Sequence, residues 1–405
     1  MGTQTRSTTL YNAALFTEYN KKPSFTNLMT GEAPKSVVGK ANQKQTDPHS
    51  PIVRVTDLSK EAGDVVDVDV VHKLRSKPTM GDRKLEGRGE SLTTATMDMK
   101  IDQGRHMVDT GGKMAQKRTK HNLQSMARGL LGDNYYMDLE DQTTLYHMAG
   151  ARGTLMDADS IIPLASDSEF SEIMVNPVTP PTFDRHAFGG DATSVDTLDG
   201  TDLFSLDSVE QMRLRMDEMS SMRIPSIKFA GDDMANESPL YVMYVSPRQF
   251  YDLKQSASTK DLNLLMANAS TRKAGFNHPV FKGECYMWEG ILIKKMTRYV
   301  EFATGSTVDV CTNADAATIA QNTAGVNVHR AILLGGQAIA NAFGNSGKGN
   351  DSKGYFGMTE EDVDHGNAKE ISINWMNGKK KIRFADKDGR INDHGIYIMD
   401  TAVSS

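Results

Sequence analysis

The sequence predicts an α+β fold in which helices alternate with strands and a run of strands closes the chain. One observation is the apolar segment Leu240–Val245, followed at once by Ser246 and Pro247, residues that favour the start of a helix. Another is the C-terminal region 371–403, where apolar segments alternate with turn residues, a pattern typical of a strand meander. Together they indicate the α+β class.

The N-terminal part of the chain has the least regular pattern. Residues 1–60 are rich in Thr, Ser, Asn, Lys and Pro and cannot bury a core of their own, so an extended arm is predicted, with a disordered tail as the alternative. Residues 65–71 and 92–101 resemble strands, and the polar segment 73–91 joins them. The sequence therefore predicts a long β-hairpin whose loop is larger than a compact domain normally needs.

Two helical regions are predicted from the spacing of apolar residues. The first covers 113–131 and resumes near Asn134, so that one long element is broken at Gly132. The second covers 207–222, where a methionine stripe at helical spacing is predicted to be core rather than a partner surface.

The segment 285–293 predicts two strands joined at Glu289-Gly290. Trp288 is predicted to be buried in the core, and Cys285 to be inert packing. Further along, a strand is predicted at 331–334.

The last third contains two further predictions that depend on local signals alone. Residues 337–343 are predicted to form a short helix ended by Gly344. Residues 371–376 are predicted to pair with 379–384 through an Asn377-Gly378 turn.

Composition limits the function. The chain has 405 residues, a net charge of −6 and a mean hydropathy of −0.47, with 38% of residues in the broad hydrophobic set. No run is long enough to span a membrane, and two cysteines suggest a reducing cytosol rather than a disulfide framework. Residues 1–150 carry a charge of +3 and the rest −9, so weak contact with nucleic acid and random scatter both remain open.

No complete catalytic motif is found. The phosphate-loop pattern fails at Gly112-Lys113 and at Gly347-Lys348, because its first glycine is missing at both. No nucleophile elbow of the form GxSxG is present. No cofactor is predicted.

Two acidic segments resemble metal sites only superficially. Asp67 and Asp69 share one face of a strand, whereas His72 falls on the other. The segment 386–393 resembles a calcium loop, but its glycine stands at position four instead of six. A solvated strand and a solvated turn are therefore predicted.

Four stretches resemble the major capsid proteins of N4-like tailed phages. They read HPVFKGECYMWEGILIKKMTRYVEF (278–302), SVDTLDGTDLFSLDSVEQMR (194–213), PLYVMYVSPRQFYDLK (239–254) and HRAILLGGQAIANAFG (329–344). The resemblance implies an HK97-like fold and a structural role: self-assembly into the icosahedral head shell that encloses double-stranded DNA.

The resemblance also implies a division of the chain. Residues 1–60 would be the N-terminal arm, 61–110 the extended loop formed by the long hairpin, and 111–160 the spine helix of the peripheral domain. Residues 161–405 would supply the remainder of the peripheral domain and the axial domain.

Partners follow from the same resemblance. The chain would contact itself, as pentamers and hexamers of a shell, together with a portal and possible scaffold or decoration proteins. Contact with packaged DNA would be weak and non-specific, no membrane is involved, and assembly would take place in the bacterial cytoplasm.

Two alternatives are of a different kind. An encapsulin-type nanocompartment shares the fold, but the polar arm 1–60 favours a phage capsid. A metal-dependent hydrolase would have to use Asp67, Asp69 and His72.

Charged residues of the predicted loop are the candidates for contact between subunits, because polar contacts with a neighbour suit such a segment. They are Lys73, Arg75, Lys77, Arg83, Lys84, Glu86, Arg88 and Glu90.

Overall fold

The structure is a computed structural model. It describes residues 26, 29–30, 49–55, 64–72, 74–119, 121–219, 222–229, 238–275, 279–281, 284–314, 318–344 and 356–404.

The described chain contains both helices and strands, in agreement with the predicted α+β class. The helices are α1 (Lys113–Arg118), α2 (Leu123–Gly129), α3 (Met137–Ala149), α4 (Ser168–Met174), α5 (Leu206–Glu218), α6 (Pro247–Ser256) and α7 (Thr259–Gly275). The strands are β1 (Ile52–Val55), β2 (Val65–Val71), β3 (Thr94–Lys100), β4 (Asp102–Gly112), β5 (His186–Phe188), β6 (Tyr241–Val245), β7 (Cys285–Trp288), β8 (Ile291–Lys295), β9 (Val300–Phe302), β10 (Thr307–Cys311), β11 (Ile319–Thr323), β12 (Val328–Leu334), β13 (Ile339–Phe343), β14 (Phe356–Val363), β15 (Ala368–Lys381), β16 (Arg383–Ala385), β17 (Ile391–Asp393) and β18 (Ile396–Ala402).

The largest sheet has the strand order β5-β18-β12-β6-β8-β7, and β9 also pairs with β12. Successive residues of a strand point to opposite faces, and each face of this sheet meets its own core. Val242 and Tyr244 join one core, whereas Met243 and Val245 join the other. Burial of each large apolar side chain stabilises the fold by ~1.5–3 kcal/mol. Cover on both faces explains why Leu240–Val245 is a continuous apolar run.

A second sheet has the order β1-β13-β15-β14, with β4 paired to β15. The N-terminal part of β15 lies between β14 and β4, and its C-terminal part pairs with β13. Ile371 and Ile373 pack against Ala127, Leu131 and Tyr136 of the helical segment. One face of β14, β15 and β4 is thus covered by helix.

The local signals in the middle of the chain predict the structure well. Ser246 and Gln249 form a reciprocal capping box at the start of α6, as expected from the sequence. In α5 the residues Val209, Met212 and Met216 are buried, so the methionine stripe is core. The helix is shorter than predicted and ends at Glu218.

The strands β7 and β8 pair antiparallel around Glu289 and Gly290, as predicted. Both turn residues have positive φ, 45° and 81°, which suits a tight hairpin. Trp288 is only partly buried, because β7 is the last strand of the sheet, and its Nε1 donates to Glu210 Oε1 over 3.0 Å. It belongs to the edge of the core, not to its centre.

The predicted break in the first helical region is misplaced. The chain leaves helical geometry at Thr119, and Asn122 caps α2 by accepting from the backbone N–H of Ser125. Gly132 does not interrupt the element, because a π-helical turn over Leu130–Tyr136 joins α2 to α3.

The predicted helix at 337–343 is wrong, because this segment contains strand β13. Its alanines favour a helix locally, but β1 pairs with it on one side and β15 on the other, and all five residues are buried. Tertiary pairing therefore overrides helix propensity.

The predicted Asn377-Gly378 turn is also wrong, because β15 runs straight through both residues. A Cβ on Gly378 would lie 1.9 Å from the carbonyl oxygen of Lys100. The glycine therefore serves close approach of two backbones rather than a turn. The next predicted turn, at 386–389, does join β16 to β17.

Candidate assembly site

The predicted long hairpin is present as β2 and β3, whose residues pair antiparallel from Val65↔Lys100 to Val71↔Thr94. Its inner face is apolar. Val66, Met97 and Met99 are buried against a core that includes Ile382 and Phe384. The hairpin strands are therefore docked on the body of the subunit, and the loop that joins them begins where this packing ends.

A polar clamp reinforces the docked end. Asn176 accepts from the backbone N–H of Lys100 at 2.9 Å and donates to its carbonyl at 2.8 Å. Lys380 donates to Asp98, and this hydrogen bond holds the pKa of the Asp98 carboxyl below its usual range.

The two limbs of the loop are joined to each other at Glu90. Its carboxylate accepts from the backbone N–H groups of Arg75 at 2.8 Å and Ser76 at 2.7 Å. It also pairs with Lys387. The bond from Lys387 and those from the two N–H groups lower the pKa of Glu90 to about 2.

Arg75, on the other limb of the loop, contacts the turn at 386–389 that also contains Lys387. Its guanidinium lies 3.3 Å from Asp386 Oδ1 and 3.4 Å from Asp388 Oδ2. We call Arg75, Glu90, Asp386, Lys387 and Asp388 the loop anchor. Two predicted contact residues, Arg75 and Glu90, are thus engaged within the chain.

Residues 77–88, the loop tip, differ from the anchor. Lys77, Arg83, Lys84, Glu86 and Arg88 are exposed, and no ion pair of their side chains is found within the described part of the chain. Lys73 lies outside the described residues.

The loop also carries apolar side chains in solvent. Leu74, Met80 and Leu85 are 68%, 71% and 69% exposed. Exposed apolar side chains of this size would be removed from water, and would stabilise a complex, if another molecule covered the loop.

A second surface with carboxylates that lack ion-pair partners among the described residues lies on the face of the sheet opposite the helices. Glu361 is the cross-strand partner of Glu370, and Glu370 is the partner of Asp109. These three carboxylates, the acidic row, cross three adjacent strands. No cation pairs with any of them among the described residues. Like charges directly opposite one another destabilise a sheet, so a cationic partner would be favoured here.

Buried charges elsewhere hold the body together. Arg330 donates to both oxygens of Asp400, at 2.8 and 2.6 Å, and His186 Nε2 lies 2.7 Å from the same carboxylate. Burial alone would raise the pKa of Asp400, but Arg330 and then His186 bring it below its usual range.

A neighbouring carboxylate is also fully paired. Asp393 contacts Lys381 at 2.8 Å and Arg383 at 2.9 Å. Both of these clusters therefore satisfy their own charges and are structural.

Asp67 and Asp69 are exposed on the outer face of β2, as expected for a solvated strand. No group of three or more metal-ligating side chains is found among the described residues. The turn at 386–389 is part of the loop anchor, a role that its sequence does not reveal. No described helix is long and apolar enough to cross a bilayer.

The described chain thus combines an α+β body, a docked hairpin and a loop tip whose charged and large apolar side chains are exposed. The comparisons identify the family. A profile of the phage capsid protein family matches residues 3–405, and the chain belongs to that family.

Individual relatives agree. The chain is 23% identical over 368 residues to the major capsid protein of Pseudomonas phage KPP25, covering 88% of this chain and 89% of the relative. It is similar to the capsid of Ralstonia phage GP4, with a TM-score of 0.75, 28% identity and coverage of 98% and 95% of the two chains. The cyanophage Pam1 capsid has a TM-score of 0.61 at 17% identity, with coverage of 98% of both chains.

The predicted HK97-like fold and capsid function are therefore confirmed. The protein is a structural major capsid protein of the phage head shell and not an enzyme. The encapsulin alternative is not favoured.

Proposed function

We propose that residues 61–110 are the extended loop through which one capsid subunit contacts the next, and that the segment 74–93 between its two strands makes this contact. The observation that carries this proposal is the loop tip. Its charged residues have no ion-pair partners among the described residues, and Met80 and Leu85 are exposed. A folded subunit gains little from such a segment, whereas a shell repeats each contact many times.

The acidic row is the proposed counterpart on the neighbouring copy. Lys77, Arg83, Lys84 and Arg88 bring four positive charges to the loop tip, against Asp82 and Glu86. Complementary charges favour correct register between two surfaces. The three aligned carboxylates of the acidic row supply the opposite charge, on the face of the sheet that points away from the helices.

The remaining assignments are part of the same proposal. Residues 1–60 would form an arm and 61–110 the extended-loop region. Residues 111–160, which contain α1 to α3, would form the spine of the peripheral domain, and 161–405 the remainder with the axial domain. The four quoted stretches favour an N4-like capsid.

The resemblance to N4-like capsid proteins also supports further proposed partners. They are a portal, possible scaffold or decoration proteins, and packaged double-stranded DNA, bound weakly by the slightly basic N-terminal third. Assembly in the host cytoplasm agrees with Cys285 and Cys311, which form no disulfide among the described residues.

The loop is tested by replacing residues 76–89 with Asn-Gly. Arg75 and Glu90 of the loop anchor remain, and the hairpin strands keep their docking residues Val66, Met97 and Met99. Closing a shorter loop changes stability little. We expect a folded, soluble subunit, with a urea midpoint close to that of the unaltered chain, that forms no stable shells in electron microscopy.

A second variant exchanges Met80, Arg83 and Leu85 for Ser and keeps the loop at its full length, so it tests the side chains of the loop tip separately from loop length. We expect this variant to fold normally and to assemble poorly. Normal particles from the shortened variant would show that the loop is not the contact element. Unfolding of the shortened variant would place residues 76–89 in the core.

A further inference from the structure

We propose that the loop anchor is a positioning device, which fixes the direction in which the loop tip leaves the subunit and so decides which other copies the tip reaches. The proposal rests on the proposed role of the loop in contacts between copies. It reassigns Arg75 and Glu90 from contact residues to positioning residues.

The anchor ties both limbs of the loop to one place. Arg75 is on the outgoing limb and Glu90 on the returning limb, and the Glu90 carboxylate bridges them through the Arg75 and Ser76 N–H groups. Both side chains then reach the turn at 386–388, which lies 297 to 313 residues further along the chain. A loop held at both limbs has far fewer directions open to it than one held only by its strands.

The turn that receives these contacts is itself firmly held. Asp386 N donates to the Arg390 carbonyl at 2.6 Å, and Gly389 N donates to the Asp386 carbonyl at 2.9 Å. The flanking strands β16 and β17 pair directly, with Arg383 bound to the fully buried Asp393. The anchor therefore joins the loop to a rigid part of the subunit.

The strength of the anchor suits a positioning role better than a stabilising one. The side chains of Arg75, Lys387 and Asp388 are 44%, 28% and 69% exposed, so solvent and salt screen these ends of the ion pairs, whereas the side chains of Glu90 and Asp386 are 11% and 2% exposed. Ion pairs with a solvent-exposed end contribute little to global stability. They can nevertheless select one direction among several that are otherwise equal, and release it when contacts in the shell favour another.

The test exchanges the charges of the turn without changing its net charge. In the variant Lys387→Glu with Asp388→Lys, residue 387 repels Glu90 and residue 388 repels Arg75, while Asp386 keeps its own contact with Arg75 and its place in the turn. Spin labels are placed at Asp82→Cys and Lys260→Cys, with Cys285→Ala and Cys311→Ala. Pulsed electron resonance on unassembled subunits then reports the spread of tip positions directly.

We expect the width of the distance distribution to increase about twofold in the exchanged variant, because two of the ion pairs that restrict the tip, Arg75–Asp388 and Lys387–Glu90, are replaced by repulsion. The thermal midpoint should stay within about 1 °C, since exposed pairs stabilise the fold little. The conservative variant Lys387→Arg should keep the narrow distribution. Electron microscopy of assembled material should show a broader range of particle sizes for the exchanged variant alone.

Three results would overturn the proposal. They are an unchanged distance distribution in the exchanged variant, a broadened distribution with normal particles, and a lowered thermal midpoint without broadening. If the variant does not fold, added NaCl on the unaltered, labelled chain decides instead, since screening must broaden the distribution. The label measurement uses free subunits, so it reports the restriction of the loop tip separately from whether the loop contacts another copy.

Discussion

Arg330 shows how a single residue can bind separate parts of the subunit. Its guanidinium holds Asp400 of β18 through two bonds and donates to the carbonyl of Ala149, at the end of α3, over 2.8 Å. Its side chain and that of Asp400 are both fully buried. A buried pair of this kind adds little over a well-packed apolar substitute, but the loss of one partner leaves an uncompensated charge.

We therefore expect Arg330→Met to lower the free energy of unfolding by ~3–5 kcal/mol. Urea unfolding of the unassembled subunit measures it. The comparison variant is Arg128→Met, which removes an exposed pair with Glu360 and should change stability by less than ~1 kcal/mol. Equal effects of the two changes would show that Asp400 is not held as the structure indicates.

At the scale of the element, β15 has two unlike faces. Ile371 and Ile373 meet the helical segment, and the alternate residues, among them Glu370, face away from it. The strand stays extended through Asn377-Gly378, because β13 and the Lys100 carbonyl occupy the space around that dipeptide. One continuous strand thus links the acidic row to the buried centre of the sheet.

The acidic row yields a prediction at this scale. Glu361→Lys with Glu370→Lys should change stability by less than ~1 kcal/mol, because the lysine introduced at position 370 would face Asp109 as an opposite charge while the two introduced lysines still face each other as like charges. Shell yield, counted by electron microscopy, should fall severely. Adding Arg83→Glu and Lys84→Glu in the loop tip should restore it in part. Normal assembly of the first variant, or no recovery in the second, would exclude the row as the partner of the loop.

At the scale of the whole molecule, buried neutral histidines link stability to pH. Burial, followed by the charge of Lys379, lowers the pKa of His147 to about 3. Burial likewise lowers the pKa values of His329 and His394 to about 4. At a pH below the ordinary histidine pKa of 6.5, the unfolded chain therefore binds more protons than the folded chain. Stability is fully present above pH 6.5 and is lost as the pH falls toward 4.

At pH 5 each of these histidines should lower the free energy of unfolding by ~2 kcal/mol relative to pH 7.5. Urea midpoints of the unassembled subunit at the two pH values test this. The change His147→Gln should reduce the difference between them by ~2 kcal/mol. A midpoint that does not depend on pH between 7.5 and 5 would show that the histidines are not buried as described.

Much of the fold could be predicted from local patterns. The strand and capping box at 240–249, the turn at Glu289-Gly290 and the hairpin of β2 and β3 depend on neighbouring residues, so sequence signals sufficed. The strand β13 and the straight course of β15 depend on partners far along the chain, and for these the local signals were misleading.

The candidate site divides in the same way. The sequence by itself determined that residues 73–91 form a long polar loop without a core, since its composition cannot bury itself, and its motifs indicated a capsid protein. Only the tertiary structure separated Arg75 and Glu90 from their charged neighbours in the loop. Nothing in the sequence distinguishes Arg75 from Arg83, or Glu90 from Glu86. Which of these residues is already paired within the chain depends on a turn about 300 residues away. The acidic row likewise exists only because strand register aligns Glu361 and Glu370 of consecutive strands with Asp109, which is distant in sequence.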